Sequence, residues 1–100
     1  MGILTSTVSK DIKRIEYMIK RYKEIKKNLP KGTISPKKIG NQTYHYLKYR
    51  DGNKIISDYI HKEDFDNLTE MIDHRKHCEI MIRSLKTELE NAKKLLKQNK

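Results

Sequence analysis

YHYLKYRDGNKIISDYI, residues 44–60, holds two runs of alternating residues around Asp51-Gly52-Asn53. Period-two alternation rich in Tyr and Ile reads as two strands, because side chains on a strand point to opposite faces in turn. Tyr44, Tyr46, Lys48 and Arg50 share one side of the first run, and His45, Leu47 and Tyr49 share the other. Asp51-Gly52 offers the positive φ of a tight hairpin turn. Loops of two and of three residues both fit this tripeptide. A one-residue slip exchanges the faces, so the register stays open at this level.

Outward from the hairpin the chemistry changes on both sides. Upstream, TISPKKI is a candidate edge strand broken by Pro36, and Gly40-Asn41 is a turn signal, so the β region covers residues 33–61. Before it, Val8, Ile12, Ile15, Ile19, Tyr22, Ile25 and Leu29 recur every three or four residues, which predicts a helix over 7–29. Ser6, Thr7 or Ser9 can cap its start, and Asp11 suits its first turn. Leu29-Pro30-Lys31-Gly32 stops it, since the residue before proline is pushed out of the helical region. Downstream, Leu68, Met71, Arg75, Cys78, Ile82, Leu85, Leu89, Ala92 and Leu96 form an unbroken heptad seam, widened by Phe65, Ile72, Met81 and Leu95. The prediction is one long helix over 62–97, with Glu63, Asp64 and Asp66 at its positive end and Lys93, Lys94 and Lys97 at its negative end.

The expected fold is therefore α+β: an antiparallel, coiled-coil-like helical hairpin with a β-hairpin or three-stranded sheet inserted between its helices. At about 1.5 Å per residue the second helix is about 54 Å long and the first about 35 Å. If Leu29 lies opposite Phe65, Val8 lies near Lys86, and Leu89, Ala92, Leu95 and Leu96 have no partner in the chain. Leu85, Leu89, Ala92 and Leu96 are then the expected interface of a homodimer.

One hundred residues allow one domain, and a mean hydropathy of −0.92 leaves little for a large core. Two-faced helices need only one apolar stripe each. No apolar run approaches the roughly 20 residues that span a bilayer, so no membrane partner is expected. No secretory leader is evident in the first ten residues. Gly2 with Ser6 fits the bare myristoylation pattern, without basic residues until Lys10. A single cysteine suits a reducing cytoplasm. The formal charge of +10 is uneven: nine Lys/Arg face three Asp/Glu in residues 1–32, five face two in 33–61, and nine face eight in 62–100. The excess thus sits on the first helix and the β region, where it concentrates polyanions. Lysine-rich surfaces also serve solubility alone.

PKGTI (30–34), YHYLKYRDGNK (44–54) and YIHKEDF (59–65) together resemble a family of short, uncharacterised prokaryotic proteins. Its pattern runs P-x-G-S/T-L/I, then Y-x-Y-L-x-Y-R-x-G-x-K, then Y-I/V-x-K-E-D. The likeness extends from Leu29 to about Leu96 and implies a helix–hairpin–helix architecture. It brings no activity. The chain departs from the family where members carry a cysteine-bearing insert before the Tyr strand; here only SPKKIGNQ stands there. The hairpin alone is also similar to the small basic sheets of some recombinase arm-binding domains.

Against that background the hairpin is the main binding candidate. A two-stranded ribbon can enter a major groove, and exposed Tyr rings can stack on unpaired bases while Lys and Arg meet phosphates. The expected contacts are Tyr44, Tyr46, Lys48, Arg50 and Lys54, while Leu47, Tyr49, Ile55 and Tyr59 are expected to pack on the helices. On the first helix, Lys13, Arg14, Lys20, Lys23 and Lys27 spread over the face opposite the Ile stripe and can track a phosphate backbone. His74-Arg75-Lys76-His77-Cys78 invites a metal reading with Glu70 or His61. It lacks the four ligands of a closed zinc site, however, and Cys78 falls on the core seam. Arg75, on that seam, is expected to reach its edge or meet a carboxylate such as Asp73 or Glu79 across a dimer. No phosphate loop, activated nucleophile or inward carboxylate pair is present, so neither an enzyme nor a cofactor is expected.

The sequence expectation is a non-enzymatic basic protein that grips nucleic acid or a ribonucleoprotein. The competing expectations are a module that docks on an acidic protein, such as a mobile-element-encoded, anti-CRISPR-like inhibitor of a nuclease, and a structural coiled-coil adaptor.

Overall fold

A computed structural model describes residues 3–98, with the side chains of residues 6–98. Gly2, the candidate acyl acceptor, lies outside the described residues. In chain order the elements are α1 (Ile3–Lys27), β1 (Thr33–Ile39), β2 (Gln42–Asp51), β3 (Lys54–Ile60) and α2 (Lys62–Gln98). This is an α+β fold with a three-stranded antiparallel sheet, ordered β1-β2-β3, between two helices in sequence.

The chain forms two compact units: residues up to Asn28 with those from His77 on, and Leu29–Lys76. In the first unit α1 and the C-terminal part of α2 run antiparallel. Ile15 and Ile19 of α1 pack with Ile82 and Leu85 of α2, and Met18, Tyr22 and Leu89 surround them. Cys78 is fully buried, as its seam position predicted. α1 begins at Ile3, so Ser6, Thr7 and Ser9 lie inside the helix and do not cap it. Asp11 is beyond the first turn and pairs with Arg14 at 3.7 Å. At the other end, the Asn28 N–H donates to the Ile25 carbonyl at 3.2 Å, tightening the last turn ahead of Pro30.

The stagger of the helices differs from expectation. Leu29 opposite Phe65 sets Arg14 opposite Ile80. Instead Arg14 reaches Glu88 at 3.9 Å, about two turns farther along α2. Tyr22 meets the His77 ring edge-on at 6.2 Å. In the second unit, the first turns of α2 pack on the sheet. Phe65 packs on His45 at 4.4 Å between ring centroids, so it is not available to face Leu29. The consequence is a correction for Leu85, which is buried to 4 % exposure within its own chain and is not free for a dimer contact; Leu89 packs on the same cluster and is half-buried. Farther on, Ala92 and Leu96 are half-buried and Leu95 is exposed.

In the second unit, both hairpins close with two-residue loops of the same composition. Gly40-Asn41 joins Ile39 to Gln42, and Gly52-Asn53 joins Asp51 to Lys54. Each glycine has positive φ (63° and 62°) and neither asparagine does, the sign pattern of a type II′ turn. The linker before β1 passes so close to β2 that a Cβ on Gly32 would lie 2.6 Å from the Lys48 carbonyl oxygen. Arg75 donates from its guanidinium to the Leu29 carbonyl at 2.7 Å, which ties this linker to α2. The guanidinium expected at the seam's edge or on a carboxylate thus also holds a backbone carbonyl of its own unit.

Candidate binding face of the sheet

Residues paired across antiparallel strands project on the same side, so the register sorts every side chain of the sheet. His45 pairs with Ile60, Leu47 with Asp58 and Ile34, and Tyr49 with Ile56. This side is turned to α2: Ile60 is buried, and Leu47, Asp58 and Ile60 line an apolar cleft of about 320 Å³ with Leu68 and Met71. The Tyr49 hydroxyl donates to the Asp58 carboxylate at 3.1 Å. That hydrogen bond, with lesser help from desolvation and the negative charges of Asp58 and Asp51, raises the Tyr49 pKa above the usual tyrosine value.

The other face turns away from α2. Across it run three cross-strand rows: Lys37–Tyr44, Ser35–Tyr46–Tyr59 and Thr33–Lys48–Ser57, with Arg50 beside Ile55. Tyr59 sits between two rings of β2, 6.1 Å from Tyr44 and 5.8 Å from Tyr46, in tilted and edge-on contacts. Its far side meets the His61 ring at 5.1 Å. Edge-to-face contacts of this kind hold ring orientations without burying the rings, and Tyr59 remains 43 % exposed. Next to Tyr46 is a shallow depression of about 380 Å³ lined by Ser35, Pro36, Lys37, Tyr46, Lys48 and Ser57.

Charge is segregated across the sheet. Lys37, Lys48 and Arg50 all stand on the open face, and no carboxylate of the three strands does. Asp51 and Asp58 project on the α2 side together with Lys38 and Lys54. The open face is thus cationic and aromatic, and the α2 side of the strands is balanced. Lysine and arginine side chains with hydroxyls beside them are donors only toward an anion, so this face is chemically suited to phosphate.

Tyr44, Tyr46, Lys48 and Arg50 are brought together as the sequence reading expected. Lys54 is not: it pairs with Asp51 on the opposite side, because the loop has two residues. Tyr59 and Ile55, expected to pack on the helices, stand on the open face; Ile55 is 70 % exposed. Ser35, Lys37 and Ser57 were missed. The signal for them was the glycine-first loop at both turns, since loop length fixes which residues meet.

Lys13, Arg14, Lys20, Lys23 and Lys27 belong to the other unit and are exposed along α1. Carboxylates interrupt this face. Arg14 has Asp11 and Glu88 within 4 Å, and the groove lined by Lys20, Lys23 and Lys27 also contains Glu16 and Glu24. The open sheet face has no such interruption, so it is the stronger candidate. Among the described residues no three His, Cys, Asp or Glu side chains are grouped to hold a metal ion, and no helix is long and apolar enough to cross a membrane.

Residues 8–70 match the model of a family described as a domain of unknown function (DUF6788). The chain matches no curated protein and no solved structure.

Proposed function

This chain belongs to the family whose model its residues 8–70 match, and from the geometry of the sheet we propose that it is a non-enzymatic nucleic-acid-binding protein. One observation carries the reading: three tyrosines and three cationic side chains share a sheet face from which every carboxylate of the strands is excluded. Proteins that bind unpaired nucleic acid combine these two elements, rings for bases and cations for the backbone. On this reading Tyr44, Tyr46 and Tyr59 contact bases, and Lys37, Lys48 and Arg50 contact phosphates. The basic stripe of α1 adds non-specific attraction. The working compartment is the cytoplasm.

The test is fluorescence anisotropy with labelled DNA and RNA at several salt concentrations. Binding at about micromolar or tighter near 150 mM salt, with log affinity falling linearly in log salt, is expected. The double variant Lys48→Glu, Arg50→Glu should abolish it while leaving the circular dichroism melt in place. Weak binding to every polyanion, seen only at low salt, refutes the reading.

A second reading has its own observation. Ile39 (51 % exposed) and Ile55 (70 %) flank the same face, and phosphate does not need them. An acidic protein with an apolar patch would use both. It predicts that Ile55→Ser costs as much affinity as Lys48→Glu, and that nucleic acid does not compete.

A further inference from the structure

Resting on the nucleic-acid reading above, we infer that the ligand of this face is single-stranded, with bases laid on the tyrosines and a phosphodiester seated in the Ser35–Lys37–Lys48–Ser57 depression. The first argument is width. β-Ribbons that read a duplex from its major groove are two-stranded, and the groove is about 12 Å wide. Here the cationic, aromatic strand is the middle one of three. At about 4.8 Å between strands, the outer strand axes alone are about 10 Å apart, before any side chain is counted. The reverse side is covered by α2, so Tyr44, Tyr46, Lys48 and Arg50 meet a ligand from one broad face. They form a platform on which an unpaired strand can lie flat.

The second argument is the order of groups. Along β2, after Gln42, the open-face residues are Tyr44, Tyr46, Lys48 and Arg50, one every second residue. At about 3.4 Å per residue, neighbours are about 7 Å apart and the line is about 20 Å long. Paired bases in a duplex present only their edges, whereas unpaired bases present the π-faces that rings can stack on. Tyr59, tilted against Tyr44 and edge-on to Tyr46, keeps these rings in place before a ligand arrives.

The third argument is the depression itself. It is lined by Lys37, Lys48, Ser35, Ser57 and Tyr46, together with Pro36, so residues with donor groups come from all three strands around about 380 Å³ and no carboxylate residue is among them. It adjoins Tyr46, so one nucleotide can place its base on the ring and its phosphate in the seat. Duplex backbones, held at a fixed distance from stacked bases, cannot meet both.

The experiment uses the wild-type chain and five labelled ligands of equal length, about ten nucleotides: single-stranded RNA, single-stranded DNA, duplex RNA, duplex DNA and a DNA strand with abasic sites. Single strands are expected to bind at least about fivefold more tightly than either duplex, with a log–log salt slope of about −2, from three cations at about 0.7 each. The abasic strand and the Tyr46→Ala variant should each lose about fivefold or more, the lower end for one base stack, while Tyr46→Phe keeps its affinity. Whichever single strand binds better, RNA or DNA, identifies the source of the ligand. Equal or tighter binding of a duplex, or an abasic strand as good as the intact one, overturns this inference and leaves general nucleic-acid binding standing. Failure of all five ligands at about 150 mM salt overturns both.

Discussion

Replacing Gly32 by Ala puts one methyl group where the linker crosses β2, and the structure sets what it meets. The new Cβ lies 2.6 Å from the Lys48 carbonyl oxygen, 3.0 Å from Leu47 Cδ1 and 3.2 Å from Tyr49 Cβ. The closest contact is backbone of the central strand, which cannot swing aside as a side-chain tip can. Gly32 also has φ 129°, a conformation that L side chains rarely adopt. Holding a non-glycine residue there costs about 1–3 kcal/mol, and inserting a methyl into packed surroundings costs about 1–3 kcal/mol more. The sum, about 2–6 kcal/mol, lowers Tm by at least about 8 °C, at about 4–8 °C per kcal/mol for a chain of this size. Gly40→Ala is the control. Its φ is also positive, at 63°, but nothing lies within 4 Å of its Cβ, so it should lose only about 1 kcal/mol. Circular dichroism melts of both variants beside the wild type give the answer. A Gly32→Ala protein that melts no lower than Gly40→Ala refutes the close approach of linker and strand.

Leu85→Ala should destabilise the chain by about 2–5 kcal/mol in urea denaturation, because the side chain is buried against Ile15 and Ile19; a loss that appears only as weaker self-association would restore the dimer expectation. Lys54→Glu should leave nucleic-acid affinity nearly unchanged while Lys48→Glu reduces it and flattens the salt slope by about 0.7, since the two lysines stand on opposite sides of the sheet; equal losses in anisotropy count against the register. Tyr49 should titrate above the usual tyrosine value in ultraviolet absorbance, and Asp58→Asn should bring it back toward about 10, because the Tyr49 hydroxyl donates its hydrogen bond to the Asp58 carboxylate. The sign follows from linkage: the folded pKa is raised, so this hydrogen bond supports the fold fully below the unfolded tyrosine pKa and its contribution is lost as pH climbs above that value.

The two helices, the strand chemistry between them and the breaks at Leu29-Pro30 and Asp51-Gly52-Asn53 were legible from local pattern. Apolar spacing of three and four names a helix whatever it packs on, and alternation names a strand. The buried position of Cys78 followed from the seam in the same way. Four of the open-face residues, Tyr44, Tyr46, Lys48 and Arg50, were legible as well, since residues of one strand keep their relative sides in every register.

What lies across strands and between helices was not legible, because it depends on lengths rather than residue types. A three-residue loop at 51–53 would pair Arg50 with Lys54 and turn Tyr59, Ser57 and Ile55 toward α2. The two-residue Gly52-Asn53 loop pairs Asp51 with Lys54, sends Lys54 to the α2 side and brings Tyr59 between Tyr44 and Tyr46. The stagger of α1 on α2 has the same character. A heptad seam is satisfied at any offset of whole repeats, so it names the face but not the partner. In one unit Phe65 packs on His45, and in the other α1 meets α2 at Ile82, Leu85 and Leu89. Local chemistry thus defines the elements and their faces, whereas register and offset arise only when the elements compete for the same apolar surface.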